Sequence, residues 1–484
     1  MKLVDLISGM KIIHIKGNTN IEIRGITKDS REVKEGFIFF ATHKSGAYIE
    51  DAKRRGAKVI VSDRELDDVF PCSIITENVG AFLGEIASKF YGFPSKNLYV
   101  VGITGTNGKT TTSYLIESIL KNAGRKVGLI GTISYRYSGH TLKAENTTPG
   151  AVEIHGLLRD MYASRVEFAV MEVSSHALDQ QRVEGIEFDT GIFTNLTHDH
   201  LDYHGDFESY KKAKKLFFDH YLKESKKERK YSILNLDDPV TREFIPNAPI
   251  KTFFYSLRDK ADAYISNCNE NINGLKLELS VMGKKISIQS PLVGIFNASN
   301  ILASCLFGST VNISYEGIKK GVEGLEGVPG RLERIGNEKG IYIFVDYAHT
   351  PDALNKVLEM LNRLKRGRLI LIFGCGGNRD TAKRPIMGNI ASRLADFAII
   401  TSDNPRNEDP KRIIEDIKKG FNGNTFKTIE NRKEAIDEGI KMARENDVLL
   451  VAGKGHEDYQ IIGDKICHFS DREVIEESLN VVRG

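Results

Sequence analysis

Apolar and polar positions alternate along this chain in three successive series of short β-branched runs separated by helix-compatible stretches. In residues 1–96 the runs are IEIRGITKDS, GFIFFAT, AKVIVSD and CSIITE, with helical spacing over 48–55 and Val79–Phe90. That alternation predicts a small α/β unit. From Leu98 the runs VVGIT, VGLIG, FAVMEV, DTGIFTN and YSILNL are nearly continuous in apolar residues, and helices are expected directly after VVGIT, at Ala151–Ala163 and around 207–220. Strands of that kind belong to a mainly parallel sheet covered on both faces. A sharp turn at Val328-Pro329-Gly330-Arg331 opens a third series: IYIFVDYAHTP, RLILIFGCGG, FAIITSDNPR, NTFKTIE and DVLLVAGKGHE. The expected fold class is α/β in three domains: a small N-terminal α/β domain (1–96), a central P-loop parallel-sheet domain (97–328) and a C-terminal Rossmann-like domain (329–484). Ligands of such sheets bind beyond the carboxyl ends of the strands.

The chemistry collects at those ends. VVGIT stops at Thr104 and gives way to Gly105-Thr106-Asn107-Gly108-Lys109-Thr110-Thr111, followed by a helix-compatible segment. Gly105 and Gly108 let successive N–H groups turn toward phosphate oxygens, and the helix N-terminus adds partial positive charge. Lys109 is placed to reach β- and γ-phosphates, and Thr110 or Thr111 to offer a hydroxyl to Mg²⁺. The usual pattern has a glycine where Ile103 stands, but strand, loop, Gly-Lys-Thr-Thr and helix keep the mechanics, so a bound nucleoside triphosphate is expected. Glu172 ends FAVMEV, and the loop after FTN carries His198, Asp199, His200, Asp202 and His204. Three histidines and two aspartates invite zinc, yet their spacing matches no familiar zinc site, and a bound triphosphate calls for a hard cation on oxygen donors such as Glu172 and the threonines. Asp29-Ser30-Arg31 follows a strand and reads as a turn that can hold a polar ligand. In the third series, Asp346, His349, Arg379, Arg406 and Glu457 stand at strand ends.

Composition narrows the partners. The 68 basic and 65 acidic side chains leave a formal charge of +3 over 484 residues, which gives no electrostatic case for nucleic acid or an anionic membrane. No run of about 18 apolar residues could span a bilayer, and the N-terminus lacks the regions of a signal peptide. A cytoplasmic protein, monomeric, with small substrates is the expectation. Five scattered cysteines with no C-x-x-C pair argue against a disulfide framework or a structural zinc site.

TGTNGKTT (104–111), MEVSSHAL (171–178), NLTHDHLDYHG (195–205), YKKAKKLFF (210–218), GIFNASN (294–300), VPGRLE (328–333), DYAHTPDAL (346–354) and GKGHEDYQ (453–460) together resemble the motif series of the Mur ligases, over nearly the whole chain and in order. The resemblance implies ATP-dependent ligation of an amino acid to a UDP-linked peptide precursor of peptidoglycan. Gly105, Thr106, Asn107, Gly108, Lys109, Thr110 and Thr111 would bind the phosphates of ATP, with Asn297 and Asn300 near the adenine and Arg331, Asp346 and His349 from the C-terminal domain. Thr110, Thr111, Glu172, His200 and Lys214 would hold magnesium, Lys214 as the family's carbamylated lysine formed with CO₂. On residues alone Lys214 is one of a run with Lys211, Lys212 and Lys215, which usually marks a solvated helix face. Ser30, His43, Lys44, Ser45, Asn146, Thr147, Thr148, Ser174, Gln180 and Arg182 would bind the acceptor, UDP-N-acetylmuramoyl-L-alanyl-D-glutamate.

The resemblance also bears on the amino acid added. An arginine at Asp403-Asn404-Pro405-Arg406 is similar to the form that takes meso-2,6-diaminopimelate, and a guanidinium fork grips a second carboxylate that lysine lacks. Arg379 would supply a second cation, and Gly453 and Glu457 would receive the distal ammonium. A bland alternative has Arg406 capping a helix or pairing with Glu408 or Asp409. Three other functions stay open at this stage: a polyglutamate-adding folate ligase, a nucleotide-driven switch without ligation, and a ligase that also accepts L-lysine.

Overall fold

The computed structural model describes residues 1–42, 46–66 and 70–481. Its chain divides into two compact units, one of Met1–Ile265, Leu279–Ile286 and Ser299–Gly321, the other of Ser266–Glu278, Ser287–Ala298 and Val322–Gly484.

The first unit opens with a five-stranded sheet in the order His14–Gly17, Cys72–Ile75, Val59–Ser62, Phe37–Phe40, Gly25–Thr27, parallel except for the first pair. Its strands are short and largely buried, and one face packs on the helix Val79–Phe90 through Phe82, Leu83 and Ile86. Asn78 caps that helix by accepting from the Ala81 N–H. The triplet at 29–31 is a tight 3₁₀ turn in which Asp29 accepts from the Arg31 backbone and pairs with its guanidinium, while Ser30 is buried.

Four parallel strands form the centre of the next sheet: Thr190–Phe193, Tyr99–Thr104, Phe168–Glu172 and Val127–Ile130, in that order. Every residue of the middle pair except Tyr99 is buried, as continuous apolar runs require. The register sets Thr104 beside Phe193, Ile103 beside Glu172 and Met171 beside Ile130, so four strands end along one edge of the sheet. Tyr231–Asn235 and Lys251–Ser256 extend the sheet in parallel beyond Thr190–Phe193, and the hairpin Ser134–Tyr137 and His140–Lys143 closes the opposite side. Beyond Lys251–Ser256 the order continues through Ala263–Asn271, Gly274–Val281 and Lys284–Ser290. The strict alternation of exposed and buried positions from Lys285 to Ser290 is the period-2 signature of a half-covered strand. The helix expected around 207–220 is found as Phe207–Leu216, continued by a wider π-turn at Phe217–Leu222.

The second unit contains a six-stranded sheet in the order Glu333–Ile335, Tyr342–Asp346, Val448–Ala452, Leu369–Phe373, Phe397–Ile400, Phe426–Thr428, antiparallel only at its first pair. One face packs on Pro351–Leu364, Lys383–Leu394 and Pro410–Lys418, the other on Arg432–Met442 and Asp471–Val481. Asp346 is level with Ala452 and Phe373 with Ile400, so the loops after these strands share an edge.

His155, on the helix Ala151–Ala163, is completely buried, with Nε2 2.9 Å from the Glu184 carbonyl, and burial pushes its pKa down to about 4. As pH falls the unfolded chain takes up this proton first, so the stability His155 contributes is complete above pH 6.5 and is lost between 6.5 and 4. The expected loss is about 3 kcal/mol. Urea midpoints from pH 7 to pH 4 should fall less steeply in His155→Gln; parallel profiles would show that this histidine does not set the slope.

Candidate functional site

The loop after Tyr99–Thr104 is shaped by two glycines in backbone conformations that L side chains rarely adopt. Gly105 has φ +148° and a Cβ there would lie 1.9 Å from the Thr194 hydroxyl; Gly108 has φ +87° and its Cβ would lie 2.4 Å from Asn300 Oδ1. Both positions are closed to other residues. Gly108 precedes the helix Lys109–Asn122, whose first N–H groups open onto the loop. Asn107 is fixed by its N–H to Asn195 Oδ1 at 2.9 Å, and Thr106 by its hydroxyl to Tyr210 at 3.0 Å.

Two lysines converge on this loop. Lys109 Nζ donates to the carbonyls of Gly105 and Thr106, both at 2.9 Å, and Lys214 Nζ donates to the same Gly105 carbonyl at 2.8 Å. Lys214 is fully buried and lies 4.7 Å over the Tyr210 ring. Burial, reinforced by the Lys109 charge and opposed by Asp199, holds its pKa well below the lysine range. The apolar stripe Tyr210, Ala213, Lys214, Phe217 carries Lys214 inward, while Lys211 pairs with Glu208 and Glu243. The reading of the lysine run as a solvated face is therefore corrected for Lys214: the helix turns its i, i+3, i+4 stripe inward and takes this one lysine with it.

Glu172 sits at the adjoining strand end, fully buried, with Oε2 accepting from the Thr110 hydroxyl at 3.0 Å and the Thr132 hydroxyl at 2.9 Å, and Oε1 from the Thr132 N–H at 3.0 Å. Thr132 continues to Thr147 at 3.1 Å, and the Thr148 hydroxyl reaches the Glu172 carbonyl at 2.8 Å and the Ser174 hydroxyl at 3.3 Å. Asn146 exchanges hydrogen bonds with the Tyr135 hydroxyl. Arg182 donates to the Thr148 carbonyl and to Gln180, whose amide holds Tyr203. Hydroxyls thus link Thr110, on the helix Lys109–Asn122, through Glu172 to Thr132, Thr147, Thr148 and Ser174, and Arg182 ties Gln180 to the Thr148 carbonyl. Thr132, which anchors this set, was not singled out in the sequence; a Gly-Thr pair after the strand VGLI is its only signal.

His200, at φ +53°, has its N–H on Asp199 Oδ1 at 2.8 Å, its ring edge-on to His176 at 5.0 Å and 6.0 Å from the Tyr210 ring. His204 lies 3.0 Å from the Ser175 hydroxyl, and His198 stacks on Phe207. Thr111 is buried on the first helical turn. Asn300 accepts from the Thr112 hydroxyl at 3.4 Å. Among the described residues no cluster of three or more His, Cys, Asp or Glu is arranged to hold a metal ion. The donors beside the loop are one carboxylate and hydroxyls, which suit a hard cation completed by phosphate and water oxygens.

In the second unit, Asn297 donates its amide to the Val293 carbonyl at 2.8 Å. Asp346 is buried and accepts from the N–H groups of Leu332 at 2.7 Å and Ala348 at 2.8 Å; burial raises its pKa against the pull of Arg331. Arg331 lies 4.9 Å over Tyr347, and His349 Nδ1 is 2.8 Å from the Tyr347 carbonyl. Gly330 packs against Gly455 and His456, so the motifs at 328–331, 346–349 and 453–457 meet.

A second group forms around Arg406. Its N–H bonds the Ile461 carbonyl, its carbonyl receives the Gly463 N–H, and its guanidinium donates to the Gly377 carbonyl at 2.9 Å. Asn404 bridges Glu457 at 2.9 Å and Ile461 at 3.0 Å, and Pro405 lies tight against Gly377. Gly453 at φ +115° lies against Asp403. Lys454, fully buried, reaches Glu457 at 3.2 Å and Asn404 at 3.3 Å, a contact the sequence did not foretell. Arg379 is exposed, with its stem 3.8 Å from where a Gly376 Cβ would lie and Arg406 Nη1 3.0 Å from the same point. The alternative pairing of Arg406 with Glu408 is not found: Glu408 is bonded to Arg384 instead. His43, Lys44 and Ser45 lie outside the described residues.

A phosphate-type loop with a buried carboxylate and two convergent lysines, on an α/β multi-domain frame with a central nucleotide-binding region, defines a ligase of the Mur type. Two family models agree: residues 103–308 match the Mur ligase middle domain and residues 330–455 the Mur ligase glutamate ligase domain. The chain belongs to the Mur ligase family. It is 43% identical to a UDP-N-acetylmuramoyl-L-alanyl-D-glutamate--2,6-diaminopimelate ligase of Clostridium tetani over 99% of both chains, and 40% identical to one of Bacillus cereus over 99% and 98%. A solved structure of a ligase of that name superposes with a TM-score of 0.72 at 31% identity, over 100% of this chain and 99% of the other.

Proposed function

We propose that the protein is an ATP-dependent amide ligase that adds meso-2,6-diaminopimelate to UDP-N-acetylmuramoyl-L-alanyl-D-glutamate through an acyl phosphate, in the synthesis of peptidoglycan precursors. The observation that carries this reading is the guanidinium of Arg406, held only by main-chain carbonyls among the described residues beside Arg379, Asn404 and Glu457, in a family member whose relatives are diaminopimelate ligases. Such a fork is ready for the carboxylate that distinguishes diaminopimelate from lysine.

In this reading the P-loop at 105–111 and Lys109 bind the triphosphate, Asn297 and Asn300 lie toward the adenine, and Arg331, Asp346 and His349 of the Rossmann-like C-terminal domain complete the nucleotide contacts. Ser30, Asn146, Thr147, Thr148, Ser174, Gln180 and Arg182 receive the acceptor; Asp403 to Arg406, Arg379, Gly453 and Glu457 receive the amino acid. The acceptor carboxylate attacks the γ-phosphorus, the incoming amine attacks the resulting acyl carbon, and phosphate leaves from the tetrahedral intermediate. Lys109 and the loop N–H groups fix the reacting phosphate and offset its charge, so the chain contributes positioning and electrostatics and takes on no covalent bond to substrate. Magnesium, held by Thr110, Thr111, Glu172, His200 and a carbamate on Lys214, would neutralise the triphosphate. The carbamate is supported by the crowding of two lysines on one carbonyl, since a buried neutral amine is the form that adds CO₂ and the product is an oxygen ligand. In the division at 96 and 328 the N-terminal domain supplies Ser30 to the acceptor, the central domain carries the ATP loop and the remaining acceptor residues, and the C-terminal domain carries the amino-acid residues and Arg331, Asp346 and His349, in a monomer working in the cytoplasm. No helix among the described residues is long and apolar enough to cross a membrane.

Phosphate release with Mg²⁺, ATP and the acceptor tests the reading, comparing meso-diaminopimelate, L-lysine and no amino acid. Release confined to diaminopimelate is expected. Equal turnover with lysine would overturn the specificity and keep the ligase, and release indifferent to acceptor and amino acid would leave an ATPase.

A further inference from the structure

Arg406 has an acidic neighbour two residues away, and the fold keeps the two apart. Glu408 and Arg406 both abut Gly377: Arg406 Nη1 donates to its carbonyl at 2.9 Å, and Glu408 Cβ lies 3.2 Å from where a Gly377 Cβ would stand. Glu408 nevertheless makes its ion pair elsewhere. Its Oε2 accepts from Arg384 Nη2 at 2.8 Å, and its Oε1 from the Asn378 N–H. Arg384, only 2% exposed, also holds Asp416 at 3.1 Å through Nη1. Asp416 has a second cation, Lys419, at 2.6 Å, whereas Arg384 is the only cation paired with Glu408 among the described residues. Arg406 makes no ion pair among the described residues, which leaves its fork to a ligand.

We infer that Arg384 is a positioning residue for amino-acid selection: by binding Glu408 it prevents that carboxylate from turning onto Arg406 and occupying the fork meant for the second carboxylate of the substrate. The inference rests on the diaminopimelate reading above. A buried arginine with two carboxylates is a common structural device, and as such its loss would disturb everything packed on it. Sequestration makes a narrower demand. Once Arg384 is gone, Glu408 competes with diaminopimelate for Arg406, and removing the Glu408 charge must undo the damage.

The experiment is a set of steady-state measurements on the full-length chain with ATP, acceptor and diaminopimelate varied in turn. Arg384→Met is expected to raise KM for diaminopimelate about tenfold while KM for ATP and for acceptor stays within about twofold. Adding Glu408→Gln to it should return KM for diaminopimelate to within about threefold of the parent, and Glu408→Gln alone should leave it there. Should Arg384→Met not fold, Arg384→Lys carries the same test: one ammonium cannot hold both carboxylates, so a smaller rise is expected, again reversed by Glu408→Gln. A rise that Glu408→Gln does not reverse, or a loss spread over kcat and all three KM values, would overturn the inference and leave a structural arginine. A parent protein whose phosphate release ignores diaminopimelate would overturn the underlying reading and the inference with it.

Discussion

Replacing Lys214 by glutamine is expected to lower acceptor-dependent phosphate release by about 10² to 10³-fold, the scale for removing one preorganised electrostatic group from a reacting centre. Lys214 is fully buried, and its Nζ shares the Gly105 carbonyl with Lys109, the residue assigned to the transferring phosphate. As an ammonium it would add a second, desolvated positive charge beside Lys109, with no carboxylate in contact among the described residues; as a carbamate it would offer two oxygens next to the loop carbonyl it now bonds, adding to those of Glu172 and Thr110 in the proposed magnesium set. Glutamine keeps most of the length and cannot take up CO₂. Protein equilibrated with ¹³C-bicarbonate should show a carbamate carbon resonance that is absent from Lys214→Gln, while the melting temperature changes by a few degrees only. A glutamine variant with more than a tenth of parental turnover would remove Lys214 from the machinery, and an unaltered carbamate resonance would place that signal on another amine.

How far the sequence could be read varies with the range of the interaction. The glycines at 105 and 108 were legible because the strand, turn and helix that need them are adjacent in the chain, and the structure shows Thr194 and Asn300 occupying the space a Cβ would take. Lys214 was ambiguous as one lysine in a run. Its burial follows from the stripe it shares with Tyr210, Ala213 and Phe217, a helical periodicity that was available but outweighed by the neighbouring charges. Thr132 could not be assigned, because its partner Glu172 lies forty positions away and only the parallel register of Val127–Ile130 with Phe168–Glu172 brings them together. The same holds for Arg384, whose two carboxylates arrive from a loop and a helix well downstream. The strands between Ala263 and Ser290 are poorly legible in the sequence although KISIQS alternates, since their mixed polar character lacks the continuous apolar runs that mark the others.

Arg406→Ala is expected to raise the KM for diaminopimelate by two to three orders of magnitude with little change in KM for ATP. Truncating one partner of a buried, hydrogen-bonded charge pair costs roughly 2 to 5 kcal/mol, or about thirty-fold to several thousand-fold. The upper part of that range is not expected, since Arg406 is only partly buried and Arg379 stays close by as a second cation. Position 406 has φ +52° and is pinned by main-chain bonds to Ile461 and Gly463, which alanine retains, so the loop should keep its path while losing the fork. The variant should also narrow the gap between diaminopimelate and lysine, because the parent penalises lysine chiefly by leaving the guanidinium without its carboxylate. Competition between the two amino acids at fixed ATP and acceptor measures this as a ratio of kcat/KM. A ratio unchanged in Arg406→Ala would assign the choice of amino acid to Arg379 or Glu457, and equal losses for both substrates would mean that Arg406 holds the shape of its loop and does not read the second carboxylate.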